Sequence, residues 1–310
     1  MKDKILPIFL FSILAIGGIY ALSISFKDKK VDRKENQTKS NTVLIPATEI
    51  THGHGMVVDV ADPTKLYIAT HHGLYVLVDD KSLYRVGNNS NDYMGFAPDT
   101  KDPKVFFASG HPEAGGNIGF QKSQDGGFTW QVISDGIGGP VDFHALSVSP
   151  VNPNLVYGWY QGQLQRSEDG GQNWQAFKNG FVIVGLTADP NEENTIYAIT
   201  PQGNGVMVSK DRGVNWNVLS KDLVGGLTSA FAVNSKDSKK MLSYSEKLKL
   251  AKSTDGGVTW QKVNQTFDGD ILYIAYDIGN PSKVYGLTYN NSIYKSLDGG
   301  QTWQKIVYNK

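Results

Sequence analysis

Ser123-Gln-Asp125-Gly-Gly-Phe-Thr-Trp130 recurs, with its Ser, Asp and Trp at fixed spacing, as Ser167 to Trp174, Ser209 to Trp216, Ser253 to Trp260 and Ser296 to Trp303. The aspartates Asp125, Asp169, Asp211, Asp255 and Asp298 follow one another at intervals of 42 to 44 residues. One more step back reaches Asp79 and Tyr84, so Leu77 to Tyr84 reads as a decayed sixth copy in which Lys81 replaces a glycine. Self-similarity at such a period marks a repeat architecture, in which no unit buries its apolar surface alone.

Around each copy the chain reads as four short strands. In the third these are Ala145 to Ser149, Leu155 to Tyr160, Gln163 to Ser167 and Trp174 to Phe177, with the block as the last hairpin. No segment of helical period intervenes. Four antiparallel strands at this period predict an all-β fold, a single six-bladed β-propeller over residues 47–310. The pairs Asp125/Trp130, Asp169/Trp174, Asp211/Trp216, Asp255/Trp260 and Asp298/Trp303 are expected to hold the fold, the carboxylate accepting turn N–H groups and the indole packing on the blade. Arg212 stands where the other blocks carry their first glycine, so the second glycine is expected to take the left-handed dihedral.

Lys and Arg (30) balance Asp and Glu (30) among 310 residues, which leaves no positive excess for a phosphate backbone and excludes nucleic acid as the expected partner. The lack of cysteine removes disulfides, thiolate metal sites, thiol nucleophiles and lipoprotein anchoring. Residues 1–26 read as a membrane anchor or signal segment: Ile5 to Phe26 is uncharged and as a helix would span about 33 Å. An uncleaved anchor is favoured, because Ala21-Leu22-Ser23 is a weak cleavage site. The Lys-rich flank from Lys27 to Lys34 argues for a cytoplasmic C-terminal side. The short tail before the span and the solvated spacer at 27–46 argue for a domain outside, giving a single-pass cell-membrane protein, or a secreted one if cleaved.

The block resembles the Asp-box (bacterial neuraminidase) repeat, shared by sialidases, xyloglucan hydrolases, sortilin-type receptors and photosystem assembly factors. More narrowly, Thr51-His-Gly-His54-Gly, Ala69-Thr-His-His-Gly73, Asp92-Tyr-Met-Gly-Phe96, Ser109-Gly-His-Pro112 and Asp142-Phe-His144 look like a bacterial family of exported, glycosyl-hydrolase-like Asp-box propellers. The resemblance implies the fold and suggests a glycoside hydrolase.

Aligned on their Pro and Tyr landmarks, the repeats place His52, Asp92, Asp142, Val182, Leu227 and Asp270 at the start of the inner strands. Two residues on stand His54, Met94, His144, Val184, Ser229 and Leu272; the loop between the second and third strands carries His71, His111, Gln161, Pro201, Glu246 and Tyr289. All six histidines fall on or beside these columns, in blades 1 to 3, which predicts a channel mouth with a His/carboxylate arc and an apolar wall.

Three readings follow. As a hydrolase, Asp92 and Asp142 are the catalytic candidates, with His52, His71, His111, Glu113 and Tyr93 on the substrate. As a metal site, His54, His144, His71 and His111 would share a divalent transition ion. As a binding module, the mouth would take a glycan or protein partner. Sialidase chemistry is excluded, since Arg33, Arg85, Arg166 and Arg212 offer no cluster at the inner strands to clamp a carboxylate.

Overall fold

The computed structural model describes residues 43–201 and 203–309. The anchor segment and most of the spacer lie outside the described residues. Among the described residues no helix is long and apolar enough to cross a membrane.

Six antiparallel sheets follow one another along the chain. Their first strands, Gly53–Val58, Asp92–Pro98, Ala145–Val148, Gly185–Ala188, Thr228–Asn234 and Ile271–Tyr276, contact each other in order, and the last meets the first. These are the inner strands of six blades. Blade 3 continues outward as Val156–Tyr160, Gln163–Ser167 and Gln175–Phe177, within a residue or so of the sequence expectation. Because each blade is covered on both faces, middle strands such as Val284–Thr288 are buried at every position rather than alternating. Outermost strands are short and exposed, as in Asn217–Val218 and Gln261–Lys262, which blunts the sheet edges. Six apolar clusters fill the six seams between neighbouring blades.

The Asp blocks act as the sequence predicts. Ser167 Oγ donates to Asp169 Oδ1 (2.7 Å) and accepts from Gly171 N (2.8 Å); Asp169 accepts from Asn173 N (2.9 Å) and Nδ2 (2.7 Å); Trp174 Nε1 donates to Gly171 O (3.0 Å). The same Ser, Asp and Trp bonds recur at Asp125, Asp211, Asp255 and Asp298.

One expectation holds and widens, since the second glycine of the block is left-handed as expected but is not alone in it, and two are corrected. Both glycine positions are left-handed, with φ +73° at Gly170, +90° at Gly171 and +59° at Arg212. What distinguishes them is space: a Cβ on Gly171 would lie 2.0 Å from Phe120, whereas one on Gly170 meets only Asn154 at 3.7 Å, so an arginine is tolerated at the first position alone. Secondly, the hairpin at Asp79 has lost the Asp-box bonds. Asp79 and Asp80 (φ 53° and 57°) are the central residues of a turn closed by Lys81 N to Val78 O, and Asp79 N bonds Thr64 O as Gly126 N bonds Lys104 O, so Asp79 occupies a glycine position. Asp80 instead accepts from Tyr285 Oη (2.8 Å) and Lys295 of blade 6, tying the last blade to the first. Thirdly, Leu44–Pro46, assigned to the spacer, pairs with Ser82–Val86 as a fifth strand of blade 1.

Candidate functional site

In four blades the residue of the second inner-strand column sits in a β-bulge, whereas His144 precedes the first strand of blade 3. Gly53 pairs with Thr70 and Gly55 with Ala69, so His54 is the extra residue; Met94, Ser229 and Leu272 are the extra residues of blades 2, 5 and 6. A bulge re-aims the side chain it carries.

The structure sorts the mouth histidines into two groups rather than one. In the first, His71 Nδ1 lies 2.7 Å from Asp92 Oδ2, and since a carboxylate only accepts, Nδ1 carries the proton. His71 Nε2 lies 3.2 Å from His54 Nε2, which itself stands 3.8 Å from Asp92 Oδ1. His52 packs over both rings, at 5.1 Å from His54 and 5.7 Å from His71, with Tyr289 on its far side. In the second group, His111 Nε2 (3.0 Å) and His144 Nε2 (2.6 Å) converge on Asp142 Oδ2. Gly116 O accepts from His111 Nδ1 at 2.8 Å, which orients the ring and gives the glycine loop a positioning role that no sequence signal disclosed.

The electrostatics of the groups differ. Burial, joined by the charge of His71, His52 and His144, lowers the His54 pKa to about 3, so this imidazole is neutral. Burial and His71 also lower that of His52. The hydrogen bond to Asp142 outweighs burial and raises His111 to about 9. Burial pushes the Asp142 carboxyl up, but the bonds from His111 and His144 prevail and hold it at about 2. Asp142 is thus a buried anion, and its Oδ1, like that of Asp92, has no hydrogen-bond partner.

The donor sets suit a metal. Two nitrogens each about 2.0–2.1 Å from a tetrahedral ion lie about 3.3 Å apart, close to the His54–His71 separation of 3.2 Å. In each group, His54/His71/Asp92 and His111/Asp142/His144, the ligand atoms lie within 4.8 Å of one another. The Nδ1–H bond of His111 to a carbonyl is the kind of outer bond that fixes ring orientation at metal sites.

Other expected site residues fall elsewhere. Tyr93 is fully buried against Trp130, with ring centroids 4.9 Å apart, inside the apolar cluster between blades 1 and 2; it offers nothing to a substrate. Glu113 lies at the rim, bonded to Ser90 Oγ. Asp270 is held by Tyr244 and Lys249 in blade 5. Arg166 and Arg212 pair with Glu168 and Glu193 on Asp-block hairpins. The opposite arc is apolar, with Val184 exposed and Val182, Leu227 and Leu272 half-buried.

Fold and repeat together define a six-bladed Asp-box β-propeller. The BNR/Asp-box repeat matches residues 294–305. A comparison with curated proteins finds no match. Among solved structures, a GH74 enzyme of Niastella koreensis superposes with a TM-score of 0.62 at 16% identity, covering 84% of this chain and 46% of that one. YCF48 from Cyanidioschyzon merolae gives 0.56 at 17%, covering 85% and 87%, and a chain of a nidogen/laminin complex gives 0.60 at 13%, covering 79% and 93%. At these identities the likeness is one of fold. The chain spans under half the length of the GH74 enzyme.

Proposed function

We propose that this chain is an exported metal-binding propeller, held at the outer face of the cell membrane by Ile5 to Phe26, whose channel mouth binds a divalent transition ion through histidine and aspartate. The observation that carries this reading is the pair of His/Asp clusters with compact donor sets and an unengaged carboxylate oxygen in each. Imidazole with carboxylate suits Zn, Cu, Fe or Mn. The bound ion would act as a Lewis acid toward a ligand lying between the polar arc and the apolar wall, of glycan or protein class; a propeller of this fold takes part in the nidogen/laminin complex.

Untagged protein, stripped with chelator and reloaded, should retain at least one ion per chain through gel filtration. Its unfolding free energy should rise by about 2.7 kcal/mol with free ion a hundredfold above Kd. His54→Ala combined with His144→Ala should abolish both effects, and substoichiometric metal in the parent would overturn the reading. For the location, protease added to intact cells should degrade the propeller; full protection would place it in the cytoplasm.

Glycoside hydrolysis is the second reading, favoured by Asp92 and Asp142 at the mouth and by the GH74 fold likeness. It asks one carboxyl to act as a proton-carrying acid. Asp142, held low by two histidines, suits only the base or nucleophile. Turnover on a polysaccharide panel that survives chelation but is lost in Asp92→Asn would establish this second reading; turnover abolished by chelator would assign it to the metal.

A further inference from the structure

The ligand set repeats along the chain with the blades. His71 is the loop residue between the second and third strands of blade 1, and it reaches Asp92 at the start of the inner strand of blade 2. His111 occupies the aligned position in blade 2, there the last residue of the second strand, and reaches Asp142, three residues ahead of the inner strand of blade 3. One device, an imidazole meeting the next blade's aspartate across the seam, has been used twice in succession. The third donor differs. In the second seam it is His144, two residues after Asp142. The corresponding residue two positions after Asp92 is Met94, and the first seam draws its third donor from the preceding blade, as the bulged His54.

We infer that the mouth holds two transition ions side by side: one in the seam between blades 1 and 2, on His54, His71 and Asp92, the other between blades 2 and 3, on His111, His144 and Asp142. This inference rests on the metal-binding reading and specifies its stoichiometry and arrangement. Neither group needs an atom of the other, and each keeps a carboxylate oxygen free for an ion, the Asp142 side chain being only 9% exposed. The two sets are close, because Asp92 of the first and His111 of the second pair directly across neighbouring strands of blade 2. They are also unlike. The first is nitrogen-rich, with His52 packed against its rings as a third imidazole; the second centres on a buried carboxylate. Two ions in this arrangement would open on the same channel, where one oxygen-rich ligand could span both.

The test is a metal count on the full chain without a histidine tag, using Zn²⁺ for stoichiometry and Cu²⁺ for proximity. The parent should bind about two Zn²⁺, His71→Ala and His111→Ala about one each, and the double variant none, with near-parental circular dichroism in all four. Asp92→Asn and Asp142→Asn, which keep side-chain volume, should reproduce the two single losses if an alanine variant folds poorly. In the parent loaded with Cu²⁺ to two equivalents, the electron paramagnetic resonance signal should broaden through dipolar coupling, and this broadening should be absent from either single variant. A parent that binds one ion, lost equally in either variant, would overturn the two-site inference while leaving the metal reading standing. A parent that binds none would overturn both.

Discussion

Gly171→Ala is expected to lower the unfolding free energy by about 2–5 kcal/mol, whereas Gly170→Ala, one residue away in the same turn, should cost only about 1–2. Both residues are left-handed, at φ +90° and +73°, so both changes incur the same backbone penalty. Only at Gly171 does a methyl group meet a wall, with Phe120 Cε1 at 2.0 Å and Cδ1 at 2.3 Å from the added carbon. Phe120 cannot yield cheaply: it is fully buried, with its ring 5.2 Å from Trp174 and 5.7 Å from Phe107. The protein already contains the counterpart of the mild substitution, Arg212 at φ +59°, whose side chain finds room to pair with Glu193 and Asn194. The same contrast should hold at Gly127, Gly213 and Gly300, whose added carbons would lie 2.4, 2.4 and 2.6 Å from leucines of the preceding blade. Urea midpoints of the Gly170 and Gly171 variants decide the matter, and equal destabilisation would refute the close-packing explanation.

The propeller was legible because the Asp block's chemistry is local. Ser167, Asp169, Gly171, Asn173 and Trp174 satisfy one another within eight residues, so their spacing survives in the sequence wherever the hairpin does. Where the hairpin is built differently, spacing misleads by a residue: it points to Asp79 as the block aspartate, although that residue holds a glycine position. The mouth columns were legible for a similar reason, since a repeat fixes the height of each residue in its blade. Which residues meet across a seam is a matter of twist, and that is not written in any one repeat. Hence the four histidines expected to share one ion, His54, His71, His111 and His144, divide between two aspartates. Tyr93 neighbours Asp92 in sequence, yet it packs on Trp130 inside the apolar cluster between blades 1 and 2 instead of facing the mouth, a difference in depth that the column alignment does not carry. Leu44–Pro46 was beyond reach, because a three-residue strand carries no periodicity of its own.

Acidification from pH 4 to pH 2 should remove stability that the Asp blocks contribute. Backbone and side-chain bonds from Asn173 hold the Asp169 carboxyl at about 2, and Asn215 does the same for Asp211. The Thr259 hydroxyl and N–H hold Asp255 at about 2; at Asp298 burial pushes the carboxyl up, but the bonds from Thr302 and Ser296 together prevail and bring it to about 2. The unfolded chain releases these protons near 3.8, so above that pH both states are ionised and the folded state keeps the full benefit. Between about 4 and 2 the unfolded carboxyls bind protons first, and stability falls with pH until the folded ones are protonated as well. Asp211→Asn isolates one block. Its amide can accept from Asn215 N but cannot also accept at its nitrogen, so the bond from Asn215 Nδ2 is lost. The stability gap between parent and Asp211→Asn, measured by urea unfolding at a series of pH values, should be widest above pH 4 and close toward pH 2. A gap that stays constant across that range would mean that the carboxylate's charge contributes nothing and that only the shape of the turn matters.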